Sequence, residues 1–152
     1  MKKPTFITHI LSDEEEAVLI KTIEAAELNT SGEIRVHIEK RCKHNVLDKA
    51  ANTFKQLKMD KTALRNGVLI YLAVEDKKFA IIGDKGINDI VPDNFWDEAK
   101  NEMQKHFKAG EMLEGLRYAI DKVGKQLKEH FPYQKDDVNE LPNEISYGKD
   151  DE

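Results

Sequence analysis

Asp84, Asn88, Asp89 and Asp93 set four oxygen-bearing side chains within ten residues, in the loop GDKGINDIVPDN at 83–94. Oxygen donors of this kind are hard ligands that select calcium or magnesium over zinc or copper. Crowded carboxylates repel one another, and a bound cation removes that cost. The loop is not an EF-hand: counted from Asp84, the glycine position of that motif falls on Asp89 and the bidentate glutamate position on Phe95. Further ligands must therefore come from elsewhere. Asn66 and Glu33, each beside the start of an expected strand, are the distant candidates, with Asp60 a further one. Turn chemistry gives a second reading of the same residues. In it, Asp84 and Asn88 make turn hydrogen bonds, Asp93 caps the following helix, Asn66-Gly67 is a tight turn and Glu33 lies at the surface.

Nucleophilic chemistry finds less support. Cys42 is the only cysteine, and Asp48 stands where a cysteine phosphatase needs an arginine to hold phosphate bidentately. No Asp-x-Asp pair and no Arg-His-Gly triplet occurs. Phosphate hydrolysis would have to use a metal-activated water, with Asp84 and Asp89 as ligands and Arg65 as a phosphate clamp, the other reading of Arg65 being an exposed loop residue or an ion-pair partner. Cys42-Lys43-His44 with His37 nearby is read as a set of surface residues rather than a soft-metal site. Trp96, just after the acidic loop, reads as core or a lid over the sheet edge, or as a pin for that loop.

The elements that must position these groups follow from periodicity. Ser12-Asp13-Glu14-Glu15 has capping-box form, and Leu19, Ile20, Ile23 and Ala26 give the helix that follows its apolar stripe. Residues 33–39 alternate polar and apolar, which predicts a strand with one buried face. A second amphipathic helix is predicted over about 45–58. The unbroken apolar run 67–74 reads as a central strand covered on both sides, and 77–82 returns beside it as a hairpin. Two further helices are marked by Phe95, Ala99, Met103 and Phe107, and by Leu113, Leu116, Ile120, Val123 and Leu127. Together they predict an α/β fold, a three-layer α/β/α sandwich around a small mixed sheet of three to four strands. The fourth strand is expected from 6–10 or from within the 83–94 loop.

Length and charge bound the rest. A chain of 152 residues suits one domain, here 1–131. From Pro132 onward periodicity is lost, and seven acids face two lysines, so 132–152 reads as an acidic, disordered tail. The remaining 22 acids and 22 bases leave the body neutral, which argues against a nucleic-acid partner. The longest apolar run is far shorter than the roughly 18 residues of a membrane span, and MKKPTFITHI lacks an apolar h-region. A soluble, cytoplasmic monomer without membrane insertion is the expectation.

The segments SGEIRVHI (31–38), RNGVLIYLA (65–73), FAIIGDKGI (79–87), FW (95–96) and FKAGEMLEGLRYAI (107–120) together resemble the TPM domain family over most of 12–132. The resemblance implies an α/β/α sandwich. It also implies two functional associations, divalent-ion binding by acidic loops and, for some members, acid phosphatase activity, while other members serve as accessory or repair factors. The expected function is thus a stand-alone TPM-like domain that binds calcium or magnesium through Asp84, Asn88, Asp89, Asp93, Asn66 and Glu33 in a regulatory or scaffolding role, with a protein partner. A metal-dependent acid phosphatase acting on phosphomonoesters is the alternative.

Overall fold

A computed structural model describes residues 4–8, 10–133 and 145–148. After a 3-10 turn at Thr5–Ile7, helix α1 spans Asp13–Glu27. Its start is fixed by sequence: the Glu15 amide donates to the Ser12 hydroxyl at 3.1 Å, and the Ser12 amide donates to the Glu15 carboxylate at 3.0 Å. Both amides would otherwise lack an intrahelical acceptor. Strand β1 (Glu33–Glu39), helix α2 (Val46–Gln56), a second 3-10 turn (Met59–Lys61), strand β2 (Gly67–Ala73) and strand β3 (Lys78–Gly83) follow. Then come α3 (Lys85–Asn88), α4 (Asp97–Lys108), α5 (Met112–His130) and β4 (Ser146–Tyr147).

The strand order is β3-β2-β1-β4. Strand β1 pairs parallel with β2 and with β4, whereas β2 and β3 form the antiparallel hairpin. Parallel pairing of β1 and β2 needs a crossover, and α2 supplies it. The alternation along the strands divides the core into two. Val36, Ile38, Ile70 and Leu72 pack with α1, α4 and α5 on one face; Leu69, Tyr71 and Ala73 pack with Ala50 and Phe54 of α2 on the other. The mixed sheet is therefore covered by helices on both faces, as the three-layer expectation required. Among the described residues, no helix is long and apolar enough to cross a membrane.

Several local expectations are corrected. All seven residues of β1 are buried, not only the apolar ones; register puts Glu33, Arg35, His37 and Glu39 on the same face as Leu69, Tyr71 and Ala73. The fourth strand comes from neither expected place: residues 5–7 form the 3-10 turn, and the 83–94 loop holds the short helix α3. It comes instead from the segment read as a tail. Ile145 and Ser146 are buried, and the Gly148 amide donates to the Ile38 carbonyl at 2.8 Å. The outer edge of β1 carries backbone groups that need partners, and this short strand supplies them. The rest of the acidic segment, 134–144 and 149–152, lies outside the described residues.

Candidate functional site

Strand β3 delivers Asp84 to the end of the sheet, where it caps α3 and is only 6% exposed. A buried carboxylate is costly unless its charge is compensated and its oxygens hydrogen-bonded. Both conditions are met. Arg65 donates from Nε to Oδ2 at 2.7 Å and from Nη2 to Oδ1 at 2.8 Å, and the Lys85 amide donates to Oδ1 at 2.7 Å. This fork geometry is the strongest form of arginine–carboxylate contact. The hydrogen bond to Asp84 also raises the Arg65 guanidinium above its ordinary pKa. Arg65 reaches Asp84 from a left-handed backbone, φ 51°, and its carbonyl accepts from the Gly86 amide at 2.8 Å. The two chain segments approach so closely that a Cβ on Gly86 would lie 2.2 Å from the Leu64 carbonyl oxygen.

The sequence-predicted residues divide into two groups. Asn66 is buried, donates from Nδ2 to the Ser31 carbonyl at 3.2 Å, and accepts at its own carbonyl from the Glu33 amide at 3.3 Å. Glu33 is in register with Gly67, and Gly67 in turn accepts from the Asp84 amide at 2.9 Å. Glu33, Asn66 and Asp84 therefore meet at one end of three adjacent strands, and none of them is a surface residue. Asn88, Asp89 and Asp93 are exposed instead. Asn88 closes the turn by donating from Nδ2 to the Gly83 carbonyl at 2.9 Å, and Asp89 is the C-cap of α3. Asp93 does not cap the following helix, whose N-cap is Trp96. Trp96 is buried, and its ring lies 3.4 Å from where a Gly83 Cβ would stand, so it pins the start of the loop against the sheet.

Among the described residues, no group of three or more His, Cys, Asp or Glu side chains is placed to hold a metal ion. The reason is visible at Asp84, whose two oxygens are taken by a guanidinium and an amide.

Two features escaped the sequence reading. Glu27, at the end of α1, accepts from the Ile34 amide at 2.8 Å, beside Glu33. Burial, with repulsion from Glu33 and Glu24, raises its carboxyl to about 7 despite that hydrogen bond. No local pattern marks it, because only the packing of α1 on β1 brings the two glutamates together. The second feature lies where β1 meets β4. His37 Nδ1 is 2.8 Å from Ser146 Oγ, and its Nε2 is 2.9 Å from Glu39 Oε1. Lys49 of α2 approaches the same carboxylate oxygen at 3.9 Å, and His37 stacks on Tyr71. The order serine–histidine–carboxylate resembles a hydrolytic triad in connectivity. Its burial and the 3.3 Å approach of Ser146 Oγ to the Val36 carbonyl make it a tie for β4 instead. Cys42, expected at the surface with His37, is likewise buried, and its thiol is 3.3 Å from the His44 carbonyl.

Comparison with known proteins places this geometry in context. A family model described as the TPM domain matches residues 6–126. No curated protein matches the chain. Among solved structures, the BA42 protein of the psychrophilic bacterium Bizionia argentinensis is 55% identical, with a TM-score of 0.86 over 91% of this chain and 95% of that one. The N-terminal domain of a P. gingivalis protein, 20% identical with a TM-score of 0.64, covers 80% of this chain and 79% of its own. The N-terminal domain of the cg2496 protein of Corynebacterium glutamicum, 15% identical with a TM-score of 0.57, covers 84% of this chain and 85% of its own. These last two share the fold.

Proposed function

This chain belongs to the TPM domain family, and on that premise we propose that it is a regulatory or scaffolding domain that responds to calcium or magnesium by exchange of the cation for Arg65. The observation that carries the reading is the asymmetry of the Arg65–Asp84 pair. The Asp84 side chain is 6% exposed, whereas that of its partner is 46% exposed and sits on a left-handed turn. The buried carboxylate always needs a positive partner; the partner present is reachable by solvent and can leave. A divalent ion supplies the same compensation with hard-oxygen chemistry. Glu33 and Asn66 stand at the same sheet end, and the exposed Asn88, Asp89 and Asp93 lie on the adjoining turn as further donors. Local opening of a small loop costs far less than global unfolding, so an ion that favours the open arrangement shifts the population toward it.

Before exchange, Arg65, the residue available as a phosphate clamp, has its fork turned onto Asp84 and offers no free anion site.

The test is calorimetric titration of chelator-stripped protein with calcium and magnesium chloride, in wild type and Arg65→Gln. Removing the competing guanidinium should tighten cation binding by about tenfold or more, the order expected for one charge-assisted contact at a buried carboxylate. Amide shifts should concentrate at 84–94 and around residues 31–33 and 65–67, and Asp84→Asn should abolish them. Absence of heat in both proteins would overturn the reading. Turnover of p-nitrophenyl phosphate that requires added metal and is lost in Asp84→Ala and Asp89→Ala would replace it with the phosphatase.

A further inference from the structure

At the opposite end of the sheet from Asp84, where β2 turns into β3, a cavity of about 470 Å³ opens between the hairpin and the α4–α5 junction. Its volume falls in the range of roughly 300–1,000 Å³ typical of small-molecule sites. Leu72, Val74, Phe79, Phe107 and Met112 supply apolar walls, with the Phe79 and Phe107 rings edge to face at 5.6 Å. Lys77 and Lys108 also line it, and both are exposed, while no acidic residue does.

The charge at this groove is unbalanced for a structural reason. The acids of the hairpin are engaged on its other side: Asp76 accepts from the Cys42 amide, and Glu75 pairs with Arg41 at 3.3 Å and Lys40 at 3.9 Å. Lys78 donates to the Cys42 carbonyl at 3.1 Å. At the other lip, Glu111 is held by His106 at 3.0 Å. Lys77 and Lys108 have no carboxylate partner among the described residues. Lys77 is held at the groove by a left-handed turn, φ 53°. Gly110 leaves the lip between α4 and α5 open, since a Cβ there would meet nothing within 4 Å.

An apolar trough with two unpaired ammonium groups and no carboxylate matches one kind of small molecule. We propose that this groove binds an amphiphile with an anionic head, a medium-chain alkyl carboxylate, whose chain lies against Phe79, Phe107 and Met112 and whose head meets Lys77 and Lys108. The apolar contact sets affinity through methylene burial, and the lysines set the sign of the head group.

The experiment is an NMR titration of the full chain with decanoate below its micellar concentration, beside hexanoate, octanoate and decyltrimethylammonium. Shifts should cluster at residues 72–79, 104–112 and Ile10, and leave 84–94 unmoved. Affinity should rise about three- to fourfold for each methylene added until the groove is filled. Decanoate should bind roughly five- to tenfold more tightly than the cationic amphiphile, and Lys77→Glu with Lys108→Glu should reverse that preference. Both lysines are exposed, so the double variant folds, and its one-dimensional spectrum verifies this independently. Equal binding of the two head groups, shifts scattered over the surface, or no shifts with decanoate would overturn the proposal. So would a concentration-dependent dimer, seen by sedimentation, that moves the same resonances without ligand.

Discussion

Gly86→Ala sets two physical effects against each other, and the structure decides the sign. Gly86 lies inside helix α3, where alanine in place of glycine ordinarily stabilises by about 1 kcal/mol. Its φ is not in the left-handed region, so backbone conformation raises no objection. The objection is space. The added Cβ would lie 2.2 Å from the Leu64 carbonyl oxygen and 2.6 Å from that of Arg65, and both neighbours are backbone atoms that cannot rotate aside. Overpacking of this kind costs about 1–3 kcal/mol. Displacing the segments also stretches the 2.8 Å bond from the Gly86 amide to the Arg65 carbonyl, worth about 1 kcal/mol. After the helical gain is subtracted, a net loss of about 2 kcal/mol is expected. Urea denaturation should show it as a lower midpoint with an unchanged slope, and a thermal scan as a fall of about 4–8 °C in Tm. Gly83→Ala is the control, because its Cβ would meet neighbours only at 3.4 Å, an ordinary contact. A Gly86→Ala variant as stable as wild type, or more stable, would refute the argument that close approach of the 64–66 segment governs this loop.

Glu27 makes stability depend on pH in a direction unusual for a carboxylate. Its pKa rises from 4.5 to about 7 on folding, so between those values the folded chain holds a proton that the unfolded chain has lost. Stability contributed by this group therefore falls as pH rises through that window and is level above it, by about 3 kcal/mol in total. Glu27→Gln keeps an acceptor for the Ile34 amide and removes the charge, so denaturation midpoints should flatten across the window and rise at pH 8. Ser146→Ala should leave His37 Nδ1 without its partner and cost about 1–3 kcal/mol. Hydrogen exchange would report this as lost protection of the Gly148 amide, which bonds to Ile38, with the β1–β2 ladder protected as before.

The periodic elements were legible because their causes are local. The capping box at Ser12, the apolar stripes of α4 and α5, and the unbroken run of β2 each follow from side chains a few residues apart, and the structure places them where those patterns indicated. The acidic loop was legible as composition but not as geometry. Its spacing put Asp84, Asn88, Asp89 and Asp93 on equal terms, whereas the fold buries the first, exposes the others, and aligns Asp84 with Glu33 and Asn66 across three strands. That sorting rests on strand register, a long-range property.

What the sequence determined alone was a layered α/β chain of the TPM kind, with hard-oxygen side chains gathered after one strand. The tertiary structure decided which charges meet. It buried the polar face of β1, tied Ser146 to His37 across 109 positions of sequence, and gave Asp84 a guanidinium as its counter-charge. The physical reason is that burial, not residue type, makes a charge demand a partner, and burial is known only when the whole sheet and its covering helices are in place.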